Sequence, residues 1–259
     1  MGWSERQVAM LDEMGIRVWS PPEVAPPAEP APSAPSARVV AADVPAPAAM
    51  REAPVVLLRP EPGSRPLHLD TMGWPELREA VSGCTACKLC TGRKQTVFGV
   101  GNERAHWMIV GEAPGEQEDL KGEPFVGKSG QLLDNMLRAV GLTRGEAPAD
   151  QQVYIANTVK CRPPGNRNPE PAELAQCEPF LIRQIALVQP RMILAMGRFA
   201  VQSLLRSTEP IGRLRGRVHQ YQGVPLVVTY HPAYLLRNPE DKSRSWDDLC
   251  LAKEALQPR

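Results

Sequence analysis

No stretch of the chain approaches the run of about 18 apolar residues that a membrane-crossing helix needs, so nothing in it reads as a membrane span. The opening residues, MGWSERQVAM, lack the apolar core of a secretory leader. A cytoplasmic, reducing location is therefore expected. An excess of charge is missing too: the formal net charge is +1, and the whole-chain value makes no case for nucleic acid. Cysteine is limited to six residues and histidine to four. In a reducing compartment a small set of thiols points to metal binding or catalysis before disulfides.

Proline is plentiful but unevenly placed. Residues 21–66 hold 13 of the 28 prolines together with 11 alanines. That stretch shows no apolar periodicity and cannot bury enough surface to offset chain entropy, so it reads as a disordered, semi-extended linker. Ahead of it, residues 4–19 read as one short helix with Ser4 as its cap and Val8, Leu11 and Met14 on one face. A single helix of that length is marginal in water, which calls for something to dock on. A repair or replication protein is the partner expected for it. The folded domain is expected over 67–259, where 24 basic residues face 21 acidic ones, a net +3.

Within that domain strands and helices alternate. Buried strands are expected at 105–112, 152–159 and 191–197, each a short apolar run. Helices are expected at 127–141, with Ser129 as cap and Gly141 as stop, at 169–190, after Gly197 through Leu205, and at 245–256. Residues 215–232 read as a hairpin turning at Gly223. Such alternation implies an α/β sheet with helices on both faces, and ligands in such sheets sit at the carboxyl ends of the strands. GEAPG, Asn157 and YHP all fall at or near those ends.

The cysteines are Cys84, Cys87, Cys90, Cys161, Cys177 and Cys250. Neither a repeated zinc knuckle nor a His pair accompanies the first two. The Cys84-x2-Cys87-x2-Cys90 run matches the start of a bacterial ferredoxin motif but lacks its Cys-Pro ending. On spacing alone, a four-thiolate site and unpaired thiols both remain open.

GEAPGEQEDLKGEPFVGKSGQLLD, VYIANTVKCRPPGNRNP and TYHPAYLLR, in this order and with CxxC upstream, resemble the family 4 uracil-DNA glycosylases. The resemblance covers about residues 77–256. It implies a three-layer α/β/α domain around a four-stranded parallel sheet, acting as a monomer on uracil-containing DNA, with no membrane partner. It also implies a 4Fe–4S cluster held by Cys84, Cys87, Cys161 and Cys177, with Cys90 a bystander and Cys250 a core residue. Uracil must leave the base stack at a cost of roughly a few kcal/mol. By the resemblance, Phe125 stacks on the flipped base. Asn157 reads its edge, accepting from N3–H and donating to O4, a pattern cytosine reverses. His231 donates toward O2 as negative charge builds on the departing base.

The GEAPG loop, with Gly111, Ala113 and Gly115, would hold the sugar–phosphate, joined by Asn166. Family 1 relatives carry GQDPY there, with an Asp that positions water. Ala113 and Gly115 stand at the Asp and Tyr places here, so Glu112 and Glu118 are the carboxylates left for that role. Leu235, Leu236 and Arg237 resemble the wedge that fills the hole in the duplex. Arg162, Arg167, Arg213, Arg215, Arg217, Lys242 and Arg244 are candidates for phosphates. Two other readings compete. Some cluster-bearing relatives bind uracil-DNA covalently through a KRRIH loop; the stretch GRLRGRVHQYQG lacks it and offers only His219. A non-catalytic DNA-binding module would have no need of Asn157 and His231.

Overall fold

The computed structural model describes residues 68–256. The helix expected at 4–19 and the linker expected at 21–66 lie outside the described residues. The apolar runs WMIVG, VYIAN and MILAM form β2 (Trp107–Gly111), β3 (Val153–Asn157) and β4 (Met192–Met196), every residue buried. Continuous rather than alternating apolarity is what a parallel strand covered on both faces requires. β6 (Val224–Thr229) completes a parallel core in the order β3-β2-β4-β6.

The sheet is wider than the four parallel strands expected. It has six strands, because β1 (Val100–Gly101) and β5 (Val218–Tyr221) add antiparallel edges. β1 is two residues long and has no periodicity to read. β5 is the first arm of the anticipated hairpin. Its two-residue turn places Gln222 and Gly223 at φ 48° and 84°, the left-handed pair that matches the twist of adjoining strands.

Alternation along the strands divides the core between two helical layers. Met108, Val110, Tyr154, Ile193 and Val228 pack with Leu181 and Ile185 of α4 (Pro171–Val188) and Val201 of α5 (Arg198–Leu205). Trp107, Ile109, Ile155, Leu194 and Val227 face the other way. They meet Leu133 and Leu137 of α3 (Lys128–Ala139) and Leu249 of α8 (Lys242–Ala255). The layered α/β/α plan holds. A third cluster joins Leu77 and Val81 of α1 (Trp74–Ser82) to Phe98, Val159, Cys161, Cys177 and Phe180. Between the strands lie α2 (Glu116–Lys121) and α6 (Ile211–Leu214), and α7 (Pro232–Arg237) follows the last strand, β6.

Two local expectations change. The cap of α3 is Gly127, not Ser129, which sits one turn position inside the helix. Cys250 is half-buried on α8 rather than a core residue. Among the described residues no helix is long and apolar enough to cross a membrane.

Candidate active site

The parallel strands end on one edge, and there a cleft of about 900 Å³ opens. β2 ends at Gly111 beside Asn157, the last residue of β3. A β-carbon at Gly111 would lie 2.4 Å from Asn157 Oδ1 and 2.6 Å from the Phe125 ring. Only glycine lets both side chains close over the strand end. Asn157 is 2% exposed, and its Oδ1 has no hydrogen-bond partner in the protein. A buried polar atom left unpaired costs about 1–3 kcal/mol, so its placement in a cleft wall is a demand for a ligand donor.

Phe125 adopts φ 55°, a conformation that costs a bulky residue free energy and needs support from its surroundings. Glu118 supplies that support. Its Oε1 accepts from the Val126 and Gly127 amides at 2.9 and 3.2 Å, and its Oε2 from Gly115 N at 3.1 Å. The carboxylate expected to act in catalysis is spent on three backbone donors, strapping the GEAPG loop to the Phe125 loop. Glu112 also lines the cleft, and its Oε1 accepts from Phe199 N at 3.0 Å at the start of α5. Burial pushes its carboxyl pKa up.

His231 caps α7: its Nδ1 accepts from Ala233 N at 3.1 Å. That bond puts the imidazole proton on Nε2. Burial, with Arg237 nearby, pulls the His231 pKa down to about 4, so the ring is neutral at ordinary pH. It stacks against Phe125 with centroids 5.3 Å apart and planes at 27°. Ala113, Gly115, Asn166 and Arg237 line the same cleft. Asn166 Oδ1 accepts from Arg162 Nε at 2.8 Å.

The wedge expectation divides. Leu236 is 43% exposed and Arg237 stands at the rim, but Leu235 is 1% exposed. The short helix α7 packs on α3, with residue 235 buried and residue 236 exposed. The phosphate candidates divide as well. Arg215 is held by buried Asp248 at 3.0 Å, Arg167 by Glu173 at 2.6 Å and Arg244 by Asp241 at 2.9 Å. Arg213, Arg217 and Lys242 are exposed. His219 contacts the Leu214 carbonyl at 2.6 Å and does not line the cleft.

Cys84, Cys87, Cys161 and Cys177 line a second cavity, and Cys90 joins them there. Arg93 Nη1 donates to Cys161 Sγ at 3.1 Å, and Lys160 N donates to Cys177 Sγ at 3.2 Å. Donors aimed at sulfur suit thiolate acceptors. Without a cation, burial raises the pKa of the Cys87 and Cys161 thiols and takes Cys177 to about 12. Among the described residues no group of three or more Cys, His, Asp or Glu is placed to hold a metal ion. An iron–sulfur cluster takes one thiolate at each iron and so spreads its ligands wider than a lone ion does.

Sequence reading missed Arg93, Lys160 and the engagement of Glu118. Each depends on a contact to a backbone atom or a sulfur that no motif spacing announces. Tyr230, adjoining His231 and lining the cleft, was legible as a neighbour of a motif but carried no signal of its own.

The model of the Uracil DNA glycosylase superfamily matches residues 98–252. The type-4 uracil-DNA glycosylase of Archaeoglobus fulgidus is 42% identical over 172 residues, 63% of this chain and 83% of the relative. That of Thermotoga maritima is 43% identical over 168 residues, 64% of this chain and 84% of the relative. A type-5 uracil-DNA glycosylase of Thermus thermophilus is 33% identical over 158 residues, 49% of this chain and 72% of the relative. The chain belongs to the uracil-DNA glycosylase superfamily, among its type-4 members.

Proposed function

We propose that this chain excises uracil from DNA as a monofunctional glycosylase, hydrolysing the bond between the base and C1′ and leaving an abasic site. Membership of the type-4 family supports the activity. The unpartnered Oδ1 of Asn157, a residue of the cleft that Phe125 and His231 also line, carries the assignment of the site. Uracil offers a donor at N3 and an acceptor at O4, which answer the two ends of the Asn157 amide. Cytosine offers the reverse at both positions and leaves two buried groups unpaired.

Phe125 gives the flipped base an apolar face. His231 gives O2 a hydrogen bond from Nε2, and being neutral it strengthens this bond as the base departs with the bonding electrons. Water adds its oxygen to C1′ and the proton passes to the departing base or the solvent. Glu112, a carboxylate lining the cleft, is the group assigned to that water. Glu118 is assigned a positioning role. Leu236 and Arg237 are assigned to the duplex at the rim, and Gly111, Ala113, Gly115 and Asn166 to the walls around the nucleotide.

The donor set of Cys84, Cys87, Cys161 and Cys177, with N–H groups on two of the sulfurs, fits a 4Fe–4S cluster. When bound, the cluster supplies structure and charge beside the DNA path. The chain is proposed to act as a monomer, checked by sedimentation with and without DNA. Residues 1–66 are proposed to tether a repair or replication partner, which deletion and pull-down test.

The deciding experiment incubates purified chain with a uracil-containing oligonucleotide without added metal, followed by hot alkali. Strand cleavage at uracil that disappears in Asn157→Ala is the expected result. Cleavage that persists in Asn157→Ala removes Asn157 as the base reader, and no cleavage by iron-loaded wild type removes the glycosylase reading.

A further inference from the structure

Lys160 lines the cysteine cavity three residues beyond Asn157, and the motif readings give it no role. It is 1% exposed. Its Nζ donates to Asn157 O at 2.9 Å and to Gln184 Oε1 at 2.6 Å, both neutral oxygens. A buried ammonium held only by neutral acceptors is costly unless negative charge stands nearby. The flanking chain brings that charge from one direction. Lys160 N donates to Cys177 Sγ, and the next residue is Cys161. Four thiolates around an iron–sulfur core carry net negative charge, so a loaded cluster compensates Lys160.

The other end of Lys160 reaches the base reader. Because Asn157 Oδ1 has no partner in the protein, the main chain sets its direction. Lys160 reaches back to the Asn157 carbonyl and closes the turn that leaves β3. Gln184 of α4 anchors the ammonium from the far side, its own Nε2 donating to Phe98 O at 2.9 Å and Tyr154 OH at 3.2 Å.

We propose that Lys160 is a positioning residue that couples the cysteine cavity to uracil recognition, holding the Asn157 main chain in register while its charge is balanced by the cluster. The coupling rests on the cluster reading above. It gives the cluster a defined route to the chemistry with no electron transfer in the reaction.

The test compares iron-loaded Lys160→Met with wild type by iron content, single-turnover excision, affinity for a duplex bearing an abasic-site analogue, and the reduction potential of the cluster by voltammetry. Loss of a positioning contact should lower the excision rate by about 10–100-fold, with affinity for the abasic duplex unchanged. Removing a positive charge beside Cys177 should also move the potential negative. An iron-loaded variant in which either the rate or the potential stays put overturns the coupling. If Lys160→Met cannot hold iron, Gln184→Leu decides. Iron-loaded Gln184→Leu is expected to lose rate in the same direction by a smaller factor, and a wild-type rate in it overturns the proposal. Wild-type chain that excises uracil with no iron bound removes the cluster reading and this coupling together. Iron-loaded variants with unchanged readouts remove the coupling alone.

Discussion

One turn, residues 157–161, borders both cavities, and the two treat polar atoms in opposite ways. In the cleft, Asn157 Oδ1 is buried and unpaired. In the cysteine cavity, the sulfurs of Cys161 and Cys177 already receive N–H donors from Arg93 and Lys160. The difference matches residence time. A ligand that comes and goes must find its partners vacant, because an internal substitute would compete with it. A resident group gains from permanent donors that fix its ligands. In this turn the unpaired atom belongs to the wall of the cleft, and the sulfurs that accept N–H donors belong to the cysteine cavity.

The sharpest way to break this contrast is Asn157→Ala. Single-turnover excision should fall by about 10²–10³-fold, the range seen when one donor to a developing charge is lost. Thermal stability should hold or rise, because the side chain's Oδ1 makes no internal hydrogen bond. A large drop in Tm would show Asn157 to be structural and would erase the distinction.

Next in size are the cysteines. Cys161→Ser and Cys177→Ser should each lose iron and stability together, since metal binding is folding free energy at such a site. Cys90→Ser should keep iron, absorbance and rate. Iron lost from Cys90→Ser but kept by Cys87→Ser would exchange those two residues in the ligand set.

These contrasts were unevenly legible in the sequence. WMIVG, VYIAN and MILAM announce a parallel sheet because strands buried on both faces have no polar side to alternate. The residues at their ends follow from where such sheets bind ligands. What could not be read are matters of one residue or of distant pairing. β1 is too short for any period. Glu118 resembles a catalytic carboxylate by position, yet its oxygens meet amides as far away as Gly127. Arg93 reaches Cys161 across 68 residues. Leu235 and Leu236 are adjacent in a six-residue helix, too brief for periodicity to tell the inner from the outer.

A smaller effect concerns pH. The folded pKa of His231 is about 4, below the unfolded value of about 6.5. Between these values the unfolded chain binds more protons, so stability falls as pH falls through that window. The neutral ring keeps its Nε2 proton throughout, so His231 should leave no inflection in the excision rate between about pH 8 and about pH 5. His231→Phe should flatten the Tm-versus-pH slope in that window and lower the rate. A rate inflection near pH 6.5 that vanishes in His231→Phe would show that the ring titrates and is not held neutral.

The smallest expected effect on catalysis separates two neighbours. Leu235→Ala deletes a buried side chain and should cost about 2–5 kcal/mol of stability, read as a lowered Tm. Its rate on the folded fraction should change little. Leu236→Ala removes an exposed side chain and should leave Tm within the ±0.5 kcal/mol or so typical of surface changes. It should weaken binding to uracil-containing duplex by a few-fold and spare single-stranded substrate, where no stack has to be propped open. The opposite pattern, with Leu235→Ala impairing duplex binding at unchanged Tm, would mean that α7 turns outward on DNA. The rim of the cleft would then be part of the moving site rather than of the fixed wall.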